Sequence, residues 1–128
     1  MSNLIDFLAR ILISALFLIS AYNKIFNIES SMNWMSGYGV PGILIYPTIL
    51  LEILLPVMII IGYKVRIAAG LLSIFCLLTA FIFHFDFADQ IQLILFLKNI
   101  GLAGGFLFIV VNGTKEWSLD KEKKFVRL

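Results

Sequence analysis

Four apolar stretches, each 19 to 21 residues long, dominate the chain: residues 4–22, 43–63, 67–85 and 91–111. A helix rising 1.5 Å per residue needs about 20 such residues to cross the hydrocarbon core of a bilayer. Backbone polar groups in hydrocarbon must be satisfied within the segment itself, so each stretch is predicted to be a spanning helix. The expected fold is an all-α membrane protein, a four-helix bundle forming one domain over residues 1–128. Composition closes the alternatives. With 61% hydrophobic and 14% charged residues, a domain in water could not cover its own surface, since soluble chains are about a quarter charged. The same numbers exclude disorder and nucleic-acid binding as a main task. One cysteine, Cys76, excludes a disulfide scaffold, and a single His84 cannot ligate a haem on both faces. No Glu-x-x-His or Cys-x-x-Cys spacing is present, so no metal site is expected and no cofactor is encoded.

The first stretch lacks the basic start and small-residue cleavage site of a signal peptide and is expected to be a retained helix. Four spans put both ends on the side of the turn at 62–66. That side carries Lys64, Arg66 and a basic tail at 113–128 with Lys115, Lys121, Lys123, Lys124 and Arg127. The other side carries Lys24, Glu29, Asp86 and Asp89. The excess of basic residues predicts cytoplasmic N- and C-termini, with the chain in the inner membrane. In the longer outer connection, 23–42, Ser30 and Ser31 are candidate caps for a short interfacial helix ended by Gly37, Gly39 and Pro41. Met32, Trp34, Met35 and Tyr38 suit the outer interface, and Trp117 the inner one.

Polar and small residues inside spans report the bundle interior. Steps of three and four place Arg10, Ser14, Phe17, Ala21 and Lys24 on one face. The same spacing groups Arg66, Gly70, Ser73, Leu77, Ala80 and His84, then Lys98, Gly101, Gly105, Phe108 and Asn112. In the second span Thr48, Glu52 and Ile59 share a face. Gly101 and Gly105 are expected to admit a neighbouring backbone. Cys76 and the glycine, alanine and serine members are expected to serve packing.

The ionisable members ask for another reason, because a charge at mid-bilayer costs about 2.5–3.5 kcal/mol. Arg10 and Arg66 lie near the cytoplasmic end, where both can snorkel to headgroups. Glu52 and Lys98 lie roughly 13 Å and roughly 10 Å below the outer ends of their helices, close enough in depth to pair. Pro56 has no N–H to offer the carbonyl of Glu52, so the helix is weakened beside the buried acid. Lys24, Glu52, His84, Lys98 and Asn99 together form an outer-half candidate site with two ammonium groups for one carboxylate. The surplus positive charge is expected either to accept an electronegative ligand, a quinone carbonyl, a semiquinone or a small oxyanion, or to be balanced by Asp86 and Asp89.

The run of motifs resembles the DoxX family of small four-helix membrane proteins. They are Ala9-Arg10, Ser20-Ala21-Tyr22-Asn23-Lys24-Ile25-Phe26, Gly39-Val40-Pro41, Leu51-Glu52, Lys64-Val65-Arg66, Phe83-His84, Phe96-Leu97-Lys98-Asn99-Ile100 with Gly104-Gly105, and a closing Trp117-Ser118-Leu119-Asp120. The family commonly has glycine where this chain has Ala21, and glycines where it has Leu55 and Pro56. The resemblance implies a place beside redox chemistry, since some relatives are linked to a thiosulfate:quinone oxidoreductase and a terminal quinol oxidase, and others to soluble redox or oxidative-stress enzymes. Three functions are therefore carried forward. The first is a quinone-linked or quinone-binding membrane subunit of a redox complex, an oxidoreductase only through a partner. The second is a non-catalytic membrane anchor or assembly partner for a redox or stress-response enzyme, docked through the basic tail or held by it to anionic lipid. The third is a small-solute transporter, which four helices would form only as a homo-oligomer.

Overall fold

The fold is seen in a computed structural model that describes residues 1–120. The basic residues Lys121, Lys123, Lys124 and Arg127 lie outside the described residues. Helix α1 runs Ser2–Ile25, α2 Ile28–Gly37, α3 Ile45–Ile61 after a single 3-10 turn at Gly42–Leu44, α4 Val65–Phe83 and α5 Gln90–Asn112. Four of these segments are long and apolar enough to cross a membrane: α1, the 3-10 turn with α3, α4 and α5. The fold is an all-helical membrane bundle with no strand among the described residues.

The helix ends follow local chemistry. Gly62 takes a left-handed conformation (φ +76°) and stops α3, two residues earlier than the apolar run suggests. Asp89 caps α5 by accepting from the Ile91 N–H at 3.0 Å. The cap of α2 is Asn27 and not Ser30 or Ser31, both of which fall inside the helix. Helix α1 extends past Tyr22 through Asn23 and Lys24, a polar step the hydropathy pattern assigned to the connection. It can continue because Lys24 finds a partner inside the bundle.

Helices α4 and α5 pack most extensively, α1 packs on α3, and α3 joins the two pairs through α4. Between lipid-coated helices apolar burial adds little, so shape and close approach decide packing. Ala68, Ala69, Leu72, Ser73, Cys76 and Ala80 of α4 are buried, and Ala68, Ala69, Leu72 and Cys76 join Ala103 and Phe106 of α5 in one apolar cluster. The Ser73 hydroxyl donates to the Ala103 carbonyl at 3.2 Å. Helices α1 and α5 meet mainly through side chains: Phe17 lies 5.6 Å from Phe106 and 6.4 Å from Phe75, centroid to centroid. These rings form a plug at mid-height.

The stripe on α1 is buried as its spacing predicts: Arg10, Ser14, Phe17 and Ala21. On α3 the interior is Ile45, Glu52, Leu55, Pro56 and Ile59. The stripe assigned to α5 is corrected. Lys98, Gly101, Phe108 and Asn112 are exposed, and the buried members are Ala103 and Phe106. The interior of this helix is as apolar as its exterior, so polarity could not point to it. A side chain at Gly101 would meet nothing within 4 Å, so this glycine admits no neighbour, whereas one at Gly105 would come 3.1 Å from Ile13 Cδ1.

The segment 117–120 returns to the bundle. The Leu119 and Asp120 N–H groups donate to the carbonyls of Ile61 and Gly62 at 3.0 and 2.8 Å. The Asp120 carboxylate accepts from the N–H groups of Lys64 and Val65 at 2.5 and 2.9 Å, satisfying the open start of α4. The Asp6 carboxylate accepts from the Lys115 N–H at 3.2 Å. The start of α1 and the segment 117–120 therefore lie at the end of the bundle that holds the α3–α4 turn, here the tail end. The opposite, loop end carries α2.

Candidate functional site at the loop end

A cavity of about 220 Å³ opens above the Phe17 plug. All five helices wall it: Leu16, Ser20 and Lys24 of α1, Ser31 and Trp34 of α2, Thr48 and Glu52 of α3, Cys76, Thr79 and Phe83 of α4, and Lys98 and Asn99 of α5, with His84 just beyond α4. Every residue of the outer-half candidate site, Lys24, Glu52, His84, Lys98 and Asn99, thus lines one space.

Their pairing differs from the expectation. Glu52, 3% exposed, forms its ion pair with Lys24 and not with Lys98: Lys24 Nζ to Glu52 Oε1 is 2.6 Å. The ammonium also donates to the Ser20 hydroxyl at 2.7 Å. Depth alone suits either lysine. The packing of α1 on α3 selects Lys24, and the extra turn of α1 carries it within reach. Lys98 is exposed at the rim of the cavity and has no hydrogen-bond or ion-pair partner among the described residues. Pro56 leaves the helix unbroken, and it adds no N–H for the carbonyl of Glu52.

The polar wall opposite is built from α4 and α5. The Asn99 amide donates to the Thr79 hydroxyl at 3.0 Å. That hydroxyl in turn donates to the carbonyls of Phe75 and Cys76 at 2.9 and 3.1 Å. The chain fixes the amide's direction and leaves its second N–H and its oxygen available. His84 Nδ1 lies 2.8 Å from Gln92 Oε1, which ties the ring across the α4–α5 connection. Trp34 stacks on Phe83 at 4.5 Å, with Tyr38 edge-on at 5.2 Å, and holds α2 over the cavity. Thr79, Ser20, Gln92 and Trp34 did not stand out in the sequence as site residues. Thr79 carried a signal, a hydroxyl inside an apolar run. Cys76, expected to serve packing, is 1% exposed and both packs and lines the cavity.

The tail-end charges serve structure. Arg10, 2% exposed, does not snorkel. Its guanidinium donates to the carbonyls of Ile59 and Ile60 at 3.1 and 2.6 Å, to Trp117 at 2.5 Å and to Asp6 at 3.1 Å. Arg66 donates to the carbonyls of Val110 and Val111, both at 3.0 Å. Each arginine closes the carbonyl end of a neighbouring helix, which an apolar setting leaves few other ways to satisfy. Trp117 stands edge-on to Phe7 at 6.1 Å.

Two curated relatives are similar to this chain over most of their own length. Inner membrane protein YqjF of Escherichia coli (strain K12) is 36% identical over 113 residues, which cover 88% of this chain and 87% of the relative. Inner membrane protein YphA of the same organism is 28% identical over 121 residues, 89% and 86% of the two chains. No solved structure matches the chain. The DoxX family model matches residues 5–85, from α1 to just beyond α4, which takes in Lys24, Glu52 and His84 but stops short of Lys98 and Asn99. By that match and that relative, the chain is an integral membrane protein that belongs to the DoxX family.

Proposed function

We propose that the loop-end cavity binds the head of a quinone, and that the chain is the quinone-binding membrane subunit of a redox complex. One observation carries this reading: a cavity of about 220 Å³ with aromatic walls presents unsatisfied donors, Lys98 Nζ and the free N–H of Asn99, beside a buried acid–base pair. That donor set fits a flat apolar ring with carbonyl oxygens. The ring would lie among Phe75, Phe83 and Trp34, and Asn99 and Lys98 would donate to a carbonyl. The Lys24–Glu52 pair would hold an exchangeable proton near the ring, and the Phe17 plug would keep water from the tail end away. When bound, a quinone supplies reversible two-electron, two-proton chemistry, and the electrons would come from a partner subunit. The test is equilibrium binding of a short-tailed ubiquinone to the protein in nanodiscs. The wild type should bind saturably and Lys98→Ala about tenfold more weakly. Equal binding by both, or none by either, would refute the reading.

We also propose that the chain lies in the inner membrane with both termini in the cytoplasm. Lys64, Arg66 and Lys115 at the tail end, against Glu29, Asp86 and Asp89 at the loop end, support this orientation, and the two relatives described as inner membrane proteins support the choice of membrane. Fused after Leu128, green fluorescent protein should be fluorescent and alkaline phosphatase inactive. The reverse pattern would invert the topology.

A further inference from the structure

Three of the four seams between the long helices are packed: α1 with α3, α3 with α4, and α4 with α5. The fourth, between α1 and α5, is closed only in its tail half. There Ile13 fills the space beside Gly105, and Phe17 meets Phe106. Above this plug the seam is bordered by Leu16 on one side and Lys98 on the other. Both line the cavity and both are exposed, Leu16 at 39%. Leu16 lies nine residues before the end of α1 and Lys98 eight after the start of α5, roughly 12–14 Å along the helix axes from the loop end. That depth belongs to the acyl chains and not to the aqueous face. Toward the loop end the cavity is covered by α2, through Trp34 stacked on Phe83.

We propose that the cavity is loaded sideways from the bilayer through a window between α1 and α5, so its occupant is a chain-bearing amphiphile. The electronegative head passes Leu16 and Lys98 and settles on the polar wall, while the chain stays among the lipids. This placement gives Lys98 a task. An ammonium exposed at acyl depth with no protein partner among the described residues is best satisfied by a head oxygen entering beside it. The inference does not depend on the head being a quinone. It competes with entry from the loop end, where a shallower depression of about 330 Å³, bordered by Asn23 and Asn27, shares Leu16, Ser20, Lys24 and Ser31 with the cavity.

Cys76 is 1% exposed and too buried to report on entry, so the reporter is a cysteine at the half-buried, cavity-lining Thr48 (Thr48→Cys) in a Cys76→Ala background. The protein in phospholipid nanodiscs is treated with N-hexadecylmaleimide or with a sulfonated, water-borne maleimide, and alkylation at position 48 is followed by mass spectrometry. The chain-bearing reagent should label that position and the water-borne one should not. Lys98→Trp and Lys98→Phe, which narrow the lip that the loop-end depression does not share, should each slow labelling at least tenfold, whereas Asn27→Trp in that depression should leave it unchanged. Two lip variants are used so that one that fails to fold does not decide the matter. Labelling by the water-borne reagent, no labelling by the chain-bearing one, or slowing by Asn27→Trp alone would overturn the window. A protein that labels as expected yet binds no ubiquinone keeps the window and loses the quinone.

Discussion

The Lys24–Glu52 pair makes a quantitative prediction because its partners are unequally buried. Glu52 is 3% exposed and Lys24 25%. In Lys24→Met the carboxylate is left among apolar side chains. Removing one partner of a buried pair costs about 3–5 kcal/mol. In Glu52→Gln the stranded group is the ammonium. It keeps its 2.7 Å bond to the Ser20 hydroxyl and already reaches the surface, so the cost should be about 1–2 kcal/mol after allowance for screening. The double variant removes both charges and should recover at least about 2 kcal/mol of the summed losses. Unfolding in mixed micelles by titration with sodium dodecyl sulfate, followed by circular dichroism, measures all four proteins. A Lys24→Met loss no larger than that of Glu52→Gln, or additive losses in the double variant, would refute the reasoning.

Two further predictions concern the tail end. Arg10→Met removes three bonds from a charged donor to backbone carbonyls, each worth about 1.5–3 kcal/mol. The same titration should show a loss of about 4 kcal/mol or more, and Arg10→Lys should restore less than half, since one ammonium cannot span the fork. At Gly62, whose φ is +76°, a Cβ would overlap Ser118 Cβ. Gly62→Ala should therefore displace the segment 117–120 without unfolding the helices. Trypsin should cut after Lys115 several-fold faster while the helical signal is kept, and an unchanged cleavage rate would show the contact to be dispensable.

How much of this was legible in the sequence differs from helix to helix, and the reason is physical. On α1 a single polar stripe runs through an otherwise apolar helix, and such a stripe can be hidden in only one direction. Arg10, Ser14, Phe17 and Ala21 are accordingly the buried set. On α5 the one lysine drew the interior face toward itself, yet Ala103 and Phe106 hold the interior by fit. In a bilayer an apolar side chain gains no more inside than outside, so composition carries no direction. The choice of Lys24 over Lys98 as partner of Glu52 rests on which helices are neighbours, which hydropathy does not encode. The fold-back of 117–120 was equally hidden. Asp120 caps a helix that begins 55 residues earlier, and only the three-dimensional return of the chain makes it a cap.

The two ends of the bundle treat polar groups in opposite ways, and the contrast argues for where function lies. At the tail end charges are matched to backbone groups: Arg10 to the end of α3, Arg66 to the end of α5, Asp120 to the start of α4. Such bonds fix helix ends and ask nothing of a ligand. At the loop end the matching is left incomplete. Glu52 is answered by one lysine, Asn99 spends one N–H on Thr79, and Lys98 waits at an open seam. Three tail-end helix termini are closed by a charge, whereas Lys98 stands as an unmatched cation among the described residues at acyl depth, where leucine would cost less. The cation kept there, at the lip of a cavity and beside an oriented amide, supports the proposal that a molecule binds at the loop end. Lys98→Leu should thus raise the stability of the ligand-free protein, by up to about 3 kcal/mol on insertion scales, while lowering its affinity for whatever fills the cavity. A variant that loses stability instead would mean that Lys98 already serves the fold.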